Sequence, residues 1–364
     1  MYHTAPFLTP RNAQRSKSVY FPSNPMDRQF PPEVVVLIVE ASLDPYDSFD
    51  MLDDHIPRYS TLCNYSRLNS VWRNISKPLL YESVVVTTDK AGEALLEIIE
   101  GGEGDEMGMV RSLRVYDTEE GVTMRRLVKR MSAQVELLAL EGAHFGHFPI
   151  ANRLRRLFLR ACYLAQLVDP TDPGALLQLQ YLQIEESGLA YDLGTPQSLP
   201  SLRSLSLTDS EDVDIPPALL NTLTALHLDN EGACRRFLPH TKNLILLSIS
   251  TDYSDAAAFL LLDTIPRYVR LARHPLYHAL IALEYHVSSG KSGLETIFWD
   301  EREADRDEDE PDECEARIAG QVRLLSGKGI KVIRGNISFR NAVERVDAIL
   351  AKEKRAAEKK AAEW

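Results

Sequence analysis

Cysteine is scarce and scattered in this chain of 364 residues: Cys63, Cys162, Cys234 and Cys314 stand far apart, and no two form a C-x-x-C pair. That excludes a disulfide framework and a zinc site of ordinary ligand spacing. It points to reduced thiols in a cytoplasmic or nuclear setting. No window approaches the ~18 consecutive apolar residues that cross a bilayer. The N-terminus shows no apolar core with a cleavage site, so neither a membrane partner nor a secretory route is expected. The N-x-S sequons at Asn64, Asn74 and Asn336 are then chance.

Positive charge is in deficit. Lys and Arg number 41 against 53 Asp and Glu, a net charge of −12. A nucleic-acid partner is disfavoured, because phosphate binding needs clustered cations. No glycine-rich phosphate loop and no G-x-S-x-G nucleophile turn occur. GGEG at 101–104 has no following lysine and reads as a turn. His274 and His278 lie four apart with His286 nearby, but no carboxylate or cysteine stands at a metal-ligand spacing. The chain is expected to be no enzyme, with no catalytic, cofactor-binding or metal residue.

What is present divides into a front segment and a long periodic remainder. Residues 1–29 carry Pro6, Pro10, Pro22 and Pro25 with scattered Arg11, Arg15 and Lys17, and read as a disordered lead. FPPEVVVLIVEASL follows. Its β-branched residues favour a strand. Pro32 at a first helical position and Glu33 in the first turn favour a helix, with Val34, Leu37, Ile38 and Ala41 on one face. The two readings balance. Residues 44–59 read as a polar connector. Ser60 can cap a helix over 60–77, in which Leu62, Tyr65, Leu68, Trp72 and Ile75 form an apolar stripe. Pro78 is expected to end it.

Together these residues resemble an F-box. Phe30, Pro31 and Glu33 stand for its Leu-Pro-x-Glu opening, with Phe30 in place of the usual leucine. Val34, Val35 and Ile38 stand for the hydrophobic helix, and Leu62 opens the second half. Leu68, Asn69, Trp72 and Arg73 stand for Val-Cys-x-x-Trp-Arg. The resemblance covers residues 30–82, and the connector is longer than that family's usual loop. It implies a trio of helices docking a Skp1-like adaptor, and through it a cullin. The adaptor-binding residues would be Phe30, Pro31, Glu33, Val34, Val35, Ile38, Leu62, Leu68 and Trp72.

The pattern L-x-x-L-x-L then recurs from Val110, Val135, Leu154, Leu179, Leu202, Leu223 and Leu244, in steps of 25, 19, 25, 23, 21 and 21 residues. That spacing resembles leucine-rich repeats, whose period is roughly 20–29 residues. The fold expected is α/β: a helical F-box, then an irregular leucine-rich horseshoe over 83–337 with parallel strands on its concave face. A C-terminal helix over 338–364 would follow, its early half closing the open end of the array. The ninth repeat position, Asn or Cys in that family, is here Thr118, Ala143, Cys162, Ser187, Ser210, Glu231 and Asp252. The hydroxyls are expected to do part of the same work, and Glu231 and Asp252 to mark wider, wetter turns. ALIALEYH from Ala279, LETIFWD from Leu294 and GIKVIRG from Gly329 read as further strands. The acidic run at 300–313 reads as a disordered excursion.

In each repeat the third, fifth and seventh residues leave the core for the concave face. Arg114, Tyr116, Arg156, Phe158, Arg160, Tyr181, Gln183, His227 and Phe298 are therefore the candidate substrate-binding residues, with Asp229, Glu284 and His286 beside them. Arginines pair acidic or phosphorylated groups bidentately, so Arg114, Arg156 and Arg160 suggest an acidic or phosphorylated protein substrate. The expected role is substrate adaptor of a Skp1–cullin ubiquitin ligase. The alternative is a binding scaffold whose N-terminal helices only cap the first repeat.

Overall fold

A computed structural model describes residues 31–42, 52–101, 109–116, 122–149, 151–168, 176–186, 193–210, 213–250, 264–272, 276–290, 292–300 and 311–362, with Gly174, Phe259 and Leu262. The lead over 1–29, Phe30, Thr118, Ser187, Asp252, His274 and GGEG beyond Gly101 lie outside the described residues.

The chain opens on three helices: α1 (Pro32–Ser42), α2 (Leu52–Ser66) and α3 (Ser70–Glu82). The balance over VVVLIVE resolves to helix because Val35 and Val39, four apart, bury against Leu62 and Trp72. Two boundaries differ from expectation. Helix α2 begins at Leu52, inside the stretch read as connector. The single helix over 60–77 is two helices, broken at Arg67–Asn69, and Pro78 lies inside α3 rather than ending it. Leu79 and Leu80 pack on the same core and hold the helix past the proline, whose missing N–H otherwise breaks it.

From β1 onward the chain is α/β. Eleven strands form one sheet: β1 (Ser83–Val86), β2 (Ser112–Val115), β3 (Leu137–Glu141), β5 (Arg156–Arg160), β7 (Tyr181–Glu185), β8 (Ser204–Thr208), β9 (Ala225–Leu228), β10 (Leu246–Ile249), β11 (Tyr268–Ala272), β12 (Thr296–Asp300) and β13 (Lys331–Gly335). All pairings are parallel and each strand lies beside the next in chain order. Only β4 (His144–His147) and β6 (Tyr163–Gln166) leave this sheet, to pair with each other. The register aligns the repeat: Leu138, Leu157, Leu182, Leu205, Leu226 and Leu247 stand in one row, each against its neighbour. With Leu140, Leu159, Ile184, Leu207, Leu228 and Ile249 they make one fully buried face. The connecting segments, including α4 (Asp89–Glu100) and α5 (Val122–Met131), return over that face, as parallel strands require.

Four strands were not read from the sequence: β1, β4, β6 and β11. Before β11, Pro266 stands where the first leucine of the pattern should be. Val269 and Leu271, fully buried in the fourth and sixth positions, were the available signal. ALIALEYH is not a strand. It lies in a helix, α8 (Leu276–Ser288), where Ala279, Leu280, Ala282 and Leu283 are buried. Residues one and four of the strand pattern also share a helix face, so the template alone could not separate them. In the acidic run, Asp300 ends β12 fully buried, residues 301–310 are outside the description, and Pro311 opens a helix, α9 (Pro311–Gly327). Between β8 and β10 lie α6 (Pro217–Leu220) and α7 (Glu231–Phe237). Glu231, expected in a wet turn, opens α7, whose cap is Asn230 accepting from Ala233 N at 2.7 Å. The last helix, α10 (Phe339–Ala362), has the expected position in sequence.

The repeat also fixes its turns. Gly142, Ala161, Glu186 and Asp209 follow their strands at the same repeat position, and all have positive φ, from 47° to 70°. A residue later, Cys162 Sγ donates to Leu140 O at 3.3 Å and Ser210 Oγ donates to Ile184 O at 3.4 Å, each reaching back to the preceding strand. The hydroxyl thus does the work of the Cys, as expected. Burial pushes the Cys162 thiol up to about 11, so it stays protonated and able to donate. At Gly142 an added Cβ would meet nothing within 4 Å. Gly142→Ala is therefore expected to cost only the left-handed backbone penalty, about 1–2 kcal/mol, in urea denaturation. A loss above about 4 kcal/mol would show that the turn does more than reverse the chain.

Candidate functional site

The chain presents two surfaces that can meet another molecule. The first is the outer face of the helical unit. Asn69 caps α3, accepting from Val71 N at 2.9 Å and Trp72 N at 3.2 Å. Arg73 Nε donates to Ser66 O at 3.2 Å, tying α3 to the end of α2. Trp72 is buried, with its ring 4.9 Å from Tyr65. The adjacent tryptophan and arginine thus build the junction between helices. Val35, Leu62 and Trp72, assigned to the adaptor by resemblance, form the interior of this unit, and Ile38 is half-buried. Pro31, Glu33, Val34 and Leu68 are exposed, and so is Leu37. Val34 and Leu37, three apart on α1, stand 36% and 64% exposed, and Leu68, in the turn between α2 and α3, stands 61% exposed. Leu37 escaped the site prediction, although its place three residues after Val34 on one helix face was readable.

The second surface is the sheet face turned away from the leucine rows. It is mixed: Ala139, Phe158, Tyr181, Ala225, Leu246, Tyr268 and Phe298 alternate with Ser204, Ser206, His227, Ser248 and Arg270. The sequence offered this face as open. Instead α10 lies across it, burying Phe339, Ala342 and Val346. The helix therefore covers the sheet and does not close the end of the array. Phe339 sits 6.1 Å from the Tyr181 ring and 5.4 Å from His227. Tyr181 in turn contacts Phe158 at 5.2 Å and donates to Gln183 Oε1 at 3.1 Å.

A buried ion pair anchors the start of this helix. Arg270 Nη2 donates to Asp300 Oδ2 at 2.6 Å, and both side chains are almost wholly buried. Arg270 Nε donates to Ile337 O at 2.6 Å and Nη1 to Ser248 Oγ at 3.0 Å. Asp300 Oδ1 accepts from Ile337 N at 3.3 Å, and Ser248 also meets His227 Nδ1 at 2.9 Å. Gly335, at φ 138°, lets the chain leave β13 and double back to reach them.

The predicted arginines have different fates. Arg114 is fully buried. Arg156 meets Glu344 of α10 at 3.4 Å, and burial lowers its pKa. Arg160 donates to Glu186 at 2.9 Å, which raises its pKa. With Tyr116 and Gln183 it lines a small cavity of about 40 Å³. His227 and Phe298 are buried. Glu284 and His286 are not on this face: they lie in α8, where Glu284 pairs with Lys328. A larger cleft of about 360 Å³ runs between α10 and the sheet, lined by Arg156, Arg203, Tyr181, Arg340, Val343 and Leu350 among others. Among the described residues no three His, Cys, Asp or Glu side chains gather to hold a metal ion, and no helix is long and apolar enough to cross a membrane.

No family model matches the chain, and no curated protein matches it. Function is therefore argued from these two surfaces.

Two measurements follow from the geometry. Asp300→Asn leaves Arg270 buried without its counter-charge, and should cost about 3–5 kcal/mol in urea unfolding. Arg270→Met with Asp300→Leu should recover only part of it: the buried charge is gone, but the Ile337 N–H and C=O lose their side-chain partners. In the turn after β9, Asp229 accepts from Asp209 N at 2.6 Å, and burial pushes its carboxyl up to about 6. Its folded value lies above the ordinary one, so its stabilising contribution is present at low pH and lost as pH rises from about 4 to about 6. The thermal midpoint of Asp229→Asn should match the wild type below pH ~4 and exceed it above pH ~6. A pH-independent gap between the two would contradict this.

Proposed function

We propose that this chain is the substrate-recognition adaptor of a Skp1–cullin ubiquitin ligase, an F-box joined to an irregular leucine-rich-repeat horseshoe. The observation that carries the reading is the exposed apolar patch of Val34 and Leu37 on α1, with Leu68 also exposed, on a helical unit that already has its own core. A unit whose interior is complete has no folding reason to leave Leu37 in water, so the patch suits a partner's apolar groove. The string Leu68–Arg73 supports it as well, since its cap, core and junction roles explain why those residue types occur in that order. The parallel rows of leucines support the second half: a long, regular sheet whose other face is mixed polar and aromatic, residue types that suit protein recognition, and lies partly under α10. The work is binding, in the cytoplasm or nucleus, and the substrate meets the sheet face.

A binding scaffold with no ubiquitin link is the second reading. One observation favours it: α3 runs directly into β1, and the Tyr59 hydroxyl donates to Ser83 O, so the helical unit is fastened to the first strand as a cap would be.

Binding to a Skp1-type adaptor separates the two. Wild-type protein should bind, and Val34→Asp with Leu37→Asp should weaken binding by at least about tenfold. That corresponds to roughly 1.4 kcal/mol, less than full burial of one leucine yields. Both sites are exposed, so circular dichroism should show an unchanged fold. If the folded wild-type chain never binds the adaptor, the scaffold reading stands in its place.

A further inference from the structure

The helix that covers the sheet face carries the pattern of a ligand. Phe339, Val343, Val346 and Leu350 recur at i, i+4, i+7 and i+11 along one side of α10 and meet Tyr181, His227, Ala225 and Leu246. Two carboxylates flank that stripe. Glu344 reaches Arg156 at 3.4 Å, and Glu353 reaches Arg267 at 2.9 Å. Glu353 is held below the ordinary carboxylate range by this arginine. The embrace is incomplete. From Ala351 to Ala361 every residue is exposed, so the second half of the helix buries nothing on the sheet. Alongside the first half, whose Phe339, Ala342 and Val346 are buried, a solvent-open cleft of about 360 Å³ runs between helix and sheet. The rim ion pairs are partly exposed, the kind that contribute little. The opposite, leucine-lined face is sealed by the chain's own connections.

We propose that the sheet face is a helix-binding groove and that α10 is an exchangeable occupant, holding the place of an amphipathic helix from a partner protein. The partner helix carries an aromatic residue followed by aliphatics at i+4, i+7 and i+11, with carboxylates at i+5 and i+14 to meet Arg156 and Arg267. The acidic substrate expected from the arginines then becomes an acidic helix, read by two arginines at the leading edges of β5 and β11. This rests on the sheet face being the target-binding surface and not on the adaptor contact.

The test uses the full-length chain. Val343→Asp with Val346→Asp undocks α10, and a fluorescein-labelled peptide of residues 338–362 is titrated against that variant and the wild type. The variant should keep one cooperative unfolding transition and bind the peptide saturably. The wild type should bind at least about tenfold more weakly, because its groove is competent only while its own helix is away. A peptide with Glu344→Arg should lose affinity for the variant and regain it when Arg156→Glu is added. Absence of peptide binding to the folded variant overturns the proposal. So does loss of cooperative folding in the variant, which would make α10 an integral part of the fold. No adaptor enters this assay, so its failure leaves the ubiquitin-ligase reading to the adaptor measurement.

Discussion

A parallel strand can be followed by its neighbour only if the chain travels back over one face of the sheet. The described connections meet that obligation on the same side, and the rows from Leu113 to Ile297 are buried beneath them. Among the described residues, the other side is covered only after the sheet is finished. All that then remains of the described chain is one helix, which must double back at Gly335 to reach it. The uneven treatment of the two faces follows from this. One face is leucine and sealed. The other is a mosaic of rings, hydroxyls and one buried ion pair under a helix that covers only part of it.

The Arg270–Asp300 pair is where the two halves of that arrangement meet. It joins the eleventh and twelfth strands to the backbone of Ile337, and so fixes the point from which α10 departs. Buried charges are costly unless every donor and acceptor is matched, and here the guanidinium reaches three partners. The helix is thus fixed at its root and packed on the sheet through its first half, while residues 351–361 are exposed.

The helical unit shows the same division between interior and display. Val35, Val39, Leu62 and Trp72 close its core, and Arg73 and Asn69 fasten its joints. Residues one step away around α1, Val34 and Leu37, are left outside. In a helix that step is all that separates a packing residue from a contact residue. A motif resemblance that assigns Val34 and Val35 alike to a partner therefore merges two different jobs.

Much of the architecture was legible because leucine at positions one, four and six of a repeat has a single use, filling the row beneath a strand. Seven strands were read in this way, and β12 and β13 from shorter matches. The pattern failed where a residue served two periods at once, as in ALIALEYH, or where Pro266 broke the first position while Val269 and Leu271 kept the others. Pro78 misled because the packing of Leu79 and Leu80 further along the helix outweighed the local cost of a proline.

Local chemistry thus settled which residues turn inward, where the turns fall and why Cys162 or Ser210 must follow them, since each of these depends on neighbours a few residues or one repeat away. What covers the second face, and so whether Phe158, Tyr181, His227 and Phe298 meet solvent, depended on residues far along the chain, more than a hundred positions after the first three. Periodicity carries no information about that distance. Only the closing of the sheet against Phe339 and Val346, and the pairing of Arg270 with Asp300, decided it.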